Sequence, residues 1–113
     1  MAQQPQVRDH LDRKLTCLQH AALYHFNIRV VCPSCRRVRI FQGHQLWWLF
    51  ERRRWNDRLE EVPRRLSCSR CWVADHRKVR PIRVSLVKDL PTGDELPWPD
   101  ERAWKRVVSR YRS

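Results

Sequence analysis

Glycine is almost missing from this chain: Gly43 and Gly93 are the only two in 113 residues. Loops that cradle phosphates need several glycines close together so that the backbone can approach the ligand, and a P-loop or dinucleotide fingerprint is thereby excluded. Carboxylates are scarce as well, twelve against twenty-four lysines and arginines. No grouped carboxylate set or Ser/His/Asp constellation is visible, so an enzyme is not expected; Asp75 and His76 are merely adjacent. No apolar run approaches the length of a membrane span. The opening stretch, MAQQPQVRDHLDRK, has no apolar core of signal-peptide length. The expectation is a cytoplasmic protein with no membrane and no small-molecule substrate, in a compartment that keeps thiols reduced.

What is present bounds the class. A length of 113 residues suits one domain with a modest core, small enough that a metal staple would contribute to its stability. Hydrophobic residues make up 42%, and six tryptophans are too many for a disordered tail. A formal charge of +12 attracts polyanions, nucleic acid first and an anionic membrane or acidic protein behind it. Arginine supplies twenty of the twenty-four basic residues. Its planar guanidinium suits phosphate and guanine edges, although a GC-rich coding bias would enrich it equally well.

The sharpest signal is a pair of Cys-x-x-Cys motifs, Cys32/Cys35 and Cys68/Cys71. Two intervening residues let the chain turn tightly enough for both sulfurs to reach one ion, and two such turns supply the four thiolates of a structural zinc site. Disulfides would require an oxidising compartment, and Cys17 is left over as a fifth, idle thiol. A thioredoxin-like centre uses the motif once, near a βαβ pattern. His44 and His76 are minor substitutes for a thiolate; His10, His20 and His25 lie far from any ligand pair.

Along the chain, residues 1–15 read as a partly loose start, although apolar positions recur at helical spacing from Leu11 and Leu15 through Leu18 to Phe26. Thr16 with Gln19 is a capping-box pair that predicts a helix from Cys17 to about Tyr24. Phe26 to Val31 and Arg37 to Phe41 alternate as strands and form a hairpin with the first cysteine pair at its tip. Val38 and Ile40 are expected on one face, Arg37 and Arg39 on the other, where they form half of a basic surface. Gly43 ends the strand and opens a helical insert, 44–62, containing the apolar run Leu46 to Phe50, which is expected to be buried. A straight helix to Val62 would split its apolar faces, so the insert reads as a helix from His44 to about Arg54 and a second from Arg58 to Val62, capped by Asp57 with Glu60 and ended by Pro63. Val79 to Lys88, interrupted by Pro81, reads as an edge strand paired with the hairpin. Residues 90–113 form a linker with three prolines and then a basic helix starting near Pro99, with an apolar stripe of Ala103, Trp104, Val107, Val108 and Tyr111.

The knuckle Cys32-Pro33-Ser34-Cys35-Arg36, followed by a strand and matched by Cys68-Ser69-Arg70-Cys71, resembles the zinc-ribbon class. More loosely, residues 16 to 88 look like short bacterial zinc-ribbon proteins. The resemblance implies one structural Zn²⁺ on Cys32, Cys35, Cys68 and Cys71, and no single activity, since the class serves transcription, translation, replication and protein docking alike. Two features depart from it: the long insert, and Arg36 and Trp72 where a glycine often follows a knuckle. A treble-clef-like arrangement stays open.

The fold expected is therefore small α+β: a zinc-ribbon-like hairpin with a third strand, a helical insert between two cysteine knuckles, and flanking terminal helices. The function expected first is nucleic-acid binding, DNA or RNA, in transcription or its regulation. The candidate contacts are Arg36, Arg37, Arg39, Arg52, Arg53, Arg54, Arg64, Arg65 and Arg70, with Trp72 able to stack on an unpaired base if exposed. The second reading is a protein adaptor that docks on a larger complex through the Trp47/Trp48 turn or the C-terminal helix.

Overall fold

The fold is taken from a computed structural model of the chain, which describes residues 14–80 and 83–112. Its elements run α1 (Leu18–Leu23), β1 (Asn27–Val31), β2 (Val38–Phe41), α2 (Gly43–Arg53), a 3-10 turn (Val62–Arg64), α3 (Ser69–Asp75), β3 (Arg83–Val87) and α4 (Glu101–Arg112). The strands form an antiparallel sheet in the order β2-β1-β3. The expected α+β class, hairpin, third strand, insert and terminal helices are all present. Of the expected loose start at 1–15, residues 1–13 lie outside the described residues, as does Pro81, and Leu15 is buried.

Register decides which side of the sheet meets the core. Ile28 faces Phe41 and Leu86, and Val30 faces Arg39 and Val84, so these six share one face. Ile28, Val30 and Phe41 are core residues, and Val84 and Leu86 pack against them. The expected alternation holds, but the face it turns inward is the other one. Arg39 belongs to the core-facing side and Ile40 to the opposite one, because the bulkier Phe41 takes the inward position and period-two alternation carries Arg39 with it. The order leaves β2 and β3 at the edges. The β2 edge is covered by Thr92, whose N–H donates to the Ile40 carbonyl at 2.8 Å while its hydroxyl accepts from the Ile40 N–H at 3.0 Å.

Against that sheet face lies a pair of helices, α1 and α2. Leu18, Ala21 and Ala22 of α1 meet Leu46, Trp47 and Phe50 of α2, all buried. Full burial of a side chain such as Leu46 or Phe50 contributes about 1.5–3 kcal/mol. The apolar run is thus mostly core, with Trp48 and Leu49 half-buried at its rim. Helix α4 covers the pair: Val107 enters the core and Trp104 meets Trp47 edge to face, with ring centroids 5.2 Å apart. The Asp100 carboxylate accepts from the Ala103 N–H at 3.0 Å and starts α4.

Three local expectations are corrected. Cys17 is the N-cap of α1, with no side-chain cap from Thr16; instead the Leu18 N–H donates to the Asp57 carbonyl and the Gln19 N–H to its carboxylate. Arg58 is a bridge residue and 59–61 are turn, not helix: Arg58 pairs with Cys17 and the Leu59 N–H donates to the Thr16 carbonyl, which holds the start of this segment against the chain before α1. Pro63 sits inside the short 3-10 turn that follows. The break near Trp55 stands, with Arg54 in the left-handed region closing α2.

Candidate metal centre

The inward row of β1, Ile28 and Val30, continues one step further to Cys32, so the metal centre grows out of the end of the core. At the hairpin tip the Cys32 N–H donates to the Arg37 carbonyl and the Arg36 N–H to the Cys32 carbonyl, both at 3.0 Å. That turn requires positive φ at its last position. Arg36 supplies it at φ 60, the place where a glycine would be unstrained.

The second pair is presented differently. Cys68 is the N-cap of α3 and Cys71 lies in its first turn, an element not anticipated from the sequence. The Cys68 N–H is held by the Val79 carbonyl at 2.7 Å, and His76, in the left-handed region, closes the helix. One cysteine pair thus sits at a hairpin tip and the other at a helix start. Cys71 is the sole buried residue of α3. A seven-residue helix is unstable alone and here has almost no apolar anchorage, so whatever joins its cysteines to the hairpin must hold it in place.

The sulfurs are placed to do so. Cys32 Sγ and Cys71 Sγ are 3.8 Å apart, Cys35 Sγ and Cys68 Sγ 3.6 Å, and all four lie within 4.8 Å of one another. Four sulfurs at about 2.3 Å from a central ion form a tetrahedron with edges of about 3.8 Å. The spacing is far beyond a disulfide's bond of about 2.05 Å, and all five cysteines are free. Burial alone would raise the Cys32 thiol, but hydrogen bonds from the Cys35 and Ser34 backbone outweigh it and lower the value to about 7. Burial and then the adjoining Cys32, Cys35 and Cys68 sulfurs push Cys71 up to about 12. The sulfurs crowd one another, so a second thiolate among them is resisted. A metal ion would allow all four to ionise. These four cysteines form a site able to hold one metal ion.

His44 is elsewhere, with its Nδ1 on Gln42 Nε2 and its ring 4.6 Å from that of Trp104. His76 is not in the sulfur cluster either; its ring lies edge-on to Trp72. Cys17 stands apart at the α1 cap, its thiol raised by burial.

The arginines divide. Arg36, Arg37 and Arg70 are exposed beside the sulfurs, and Arg37 Nη1 donates to Ser69 Oγ at 3.0 Å, joining hairpin to helix. Arg77, which sequence reasoning passed over, makes the matching link, Nη2 to Ser34 Oγ at 3.0 Å. Arg53 and Arg65 gather over the Trp55 ring and Arg52 over Trp48. Arg54 is exposed at the end of α2, and Arg64 pairs with Glu61 at 3.4 Å. Arg39 is withdrawn: its guanidinium lies 4.2 Å from the Phe41 centroid and donates to the Asp94 carbonyl. Trp72 is 53% exposed.

No helix among the described residues is long and apolar enough to cross a membrane. Comparison of the chain with protein-family models, with curated proteins and with solved structures found no match.

Proposed function

We propose that the protein is a zinc-stabilised module, of the zinc-ribbon kind in its ligand set, that binds nucleic acid through the arginine-rich surface around its metal centre. Zinc is the ion that four thiolates in a tetrahedron suit best, and a small domain gains most from such a staple. Four thiolates fill its coordination, so the ion's role in this reading is structural and the module has no catalytic step.

One observation carries the partner. Stretches 32–41 and 64–80, which bring the four sulfurs together, hold nine basic residues and a single acid, Asp75. A zinc ion with four thiolates has a net charge of about −2, which leaves the local charge near +6. A structural role in balancing the thiolates therefore accounts for only part of the excess. The remainder suits a phosphate backbone, whose binding draws on the release of counterions. The setting such a module suits is gene expression or its control, in the cytoplasm. Docking through the Trp47/Trp48 turn has less support, since Trp47 is only 2% exposed and Trp104 packs on it.

The test is the salt dependence of binding to labelled DNA and RNA. Affinity should fall linearly with salt on logarithmic axes, with a slope of roughly −0.7 to −0.9 per phosphate contacted. Arg37→Ala or Arg70→Ala should each flatten that slope by about one contact. Absence of binding at low salt, or binding indifferent to salt, would overturn the reading.

A further inference from the structure

We infer that the nucleic acid taken at this surface is an unpaired strand, with a base stacked on Trp72 and its phosphates beside Arg37 and Arg36; this rests on the nucleic-acid reading above. The inference comes from what α3 carries on its outer side. In a helix, positions 69, 72 and 73 share one face, so Ser69, Trp72 and Val73 form a short row along α3, with His76, the left-handed C-cap, just beyond its C-terminal end. Cys68 and Cys71 occupy the inner side at the sulfur cluster. The Arg37 guanidinium is fixed at the N-terminal end of the row by its bond to Ser69 Oγ. His76 stands at the other end, its ring edge-on to the Trp72 indole at a centroid distance of 5.6 Å.

An exposed tryptophan beside a 77% exposed valine is an unusual surface for so short a helix. Here the indole lies between a cation at one end of the row and an imidazole edge at the other. The metal ligands in the same helix fix it against the hairpin. A platform of this kind stacks any base, because every base has a π-face, and adjacent arginines track the backbone. A duplex offers the indole no free base face unless a step is first unstacked. Charge complementarity selects the occupant, since a neutral or basic partner would meet the surrounding Arg36, Arg37, Arg70 and Arg77 without compensation.

The experiment compares labelled oligo-dA and oligo-rA strands with their duplexes, using the metal-loaded full chain and its Trp72→Ala and Trp72→Phe variants. Metal content serves as the control for folding. Each strand should bind about tenfold or more tightly than its duplex; Trp72→Ala should lose about tenfold on the strands and little on the duplexes, and Trp72→Phe should retain most of the strand affinity. A preference for one sugar over the other among the strands supports the inference and identifies the source. Equal affinity for strand and duplex, or strand binding unchanged in Trp72→Ala, overturns the inference while leaving nucleic-acid binding in place. Failure of strands and duplexes alike to bind at low salt overturns both.

Discussion

The Gln19 backbone N–H donates to the Asp57 carboxylate at 3.1 Å, across 38 positions of sequence. Helix α1 is therefore capped by a residue from the far end of the insert. Replacing Asp57 with Ala should lower stability by about 1 kcal/mol, whereas Asp57→Asn, which keeps an acceptor, should lose clearly less. Denaturant titration of the metal-saturated protein checks both. Equal losses in the two variants would mean that the carboxylate acts by its charge and not as a hydrogen-bond acceptor.

Gly43 is required for space and not for its backbone angles. A Cβ there would meet the Phe26 carbonyl oxygen at 2.2 Å, and that oxygen belongs to backbone that cannot swing aside. Gly43→Ala should cost about 3 kcal/mol, near the upper end for overpacking, because α2 must move off the start of β1. Gly93→Ala would press only on the Arg39 side chain but holds φ at 77, so it should cost less, about 1–2 kcal/mol. Thermal unfolding of the two variants side by side gives the comparison.

Arg36 makes the reverse case. It occupies the left-handed region in the first knuckle, at a cost of roughly 1–2 kcal/mol that glycine would avoid, less the 0.5–1 kcal/mol of chain entropy that glycine adds to the unfolded state. Arg36→Gly should therefore stabilise the loaded protein by about 0.5 kcal/mol while weakening its affinity for nucleic acid, and Arg36→Ala should weaken affinity without the gain in stability. Denaturant midpoints and binding titrations on the same preparations check the two effects separately.

His44 is held below its usual value by burial and secondarily by His25, and its ring packs against Trp104 and Trp98. A histidine whose pKa is depressed in the fold favours the neutral form there. Its contribution is present above the unfolded value of about 6.5 and is lost as pH falls through the lower folded value. His44→Phe should show a shallower loss of stability than the parent chain as pH falls below about 6.5. Taking the difference between the two proteins cancels the protonation of the cysteines, which both share.

The same residues explain what could be read in advance. The cysteine spacing encodes a local geometry, so the metal site was legible from four positions alone. The hairpin, α2 and α4 were legible because their apolar periods agree with their partners. Thr16 and Asp57 carried capping signatures that were locally sound, but the Asp57 carboxylate serves α1 and the Thr16 carbonyl receives Leu59. Non-local pairing outweighed the local signal. Helix α3 left no apolar period to find, because Cys71 is its one buried residue and the metal site substitutes for a hydrophobic face. Arg39 was misplaced because Ile40 and Phe41 are both credible core residues, and only the register with Ile28 distinguishes them.

X-ray absorption at the zinc edge of the purified protein addresses the four-sulfur site most directly. The expected spectrum has a first shell of four sulfurs at about 2.3 Å, from one ion per chain. Chelation should then release hydrogen-exchange protection at 32–37 and 68–76 before the core around Ile28, Trp47 and Phe50 opens. A first shell containing nitrogen or oxygen, or a metal-free chain whose α3 stays protected, would contradict it.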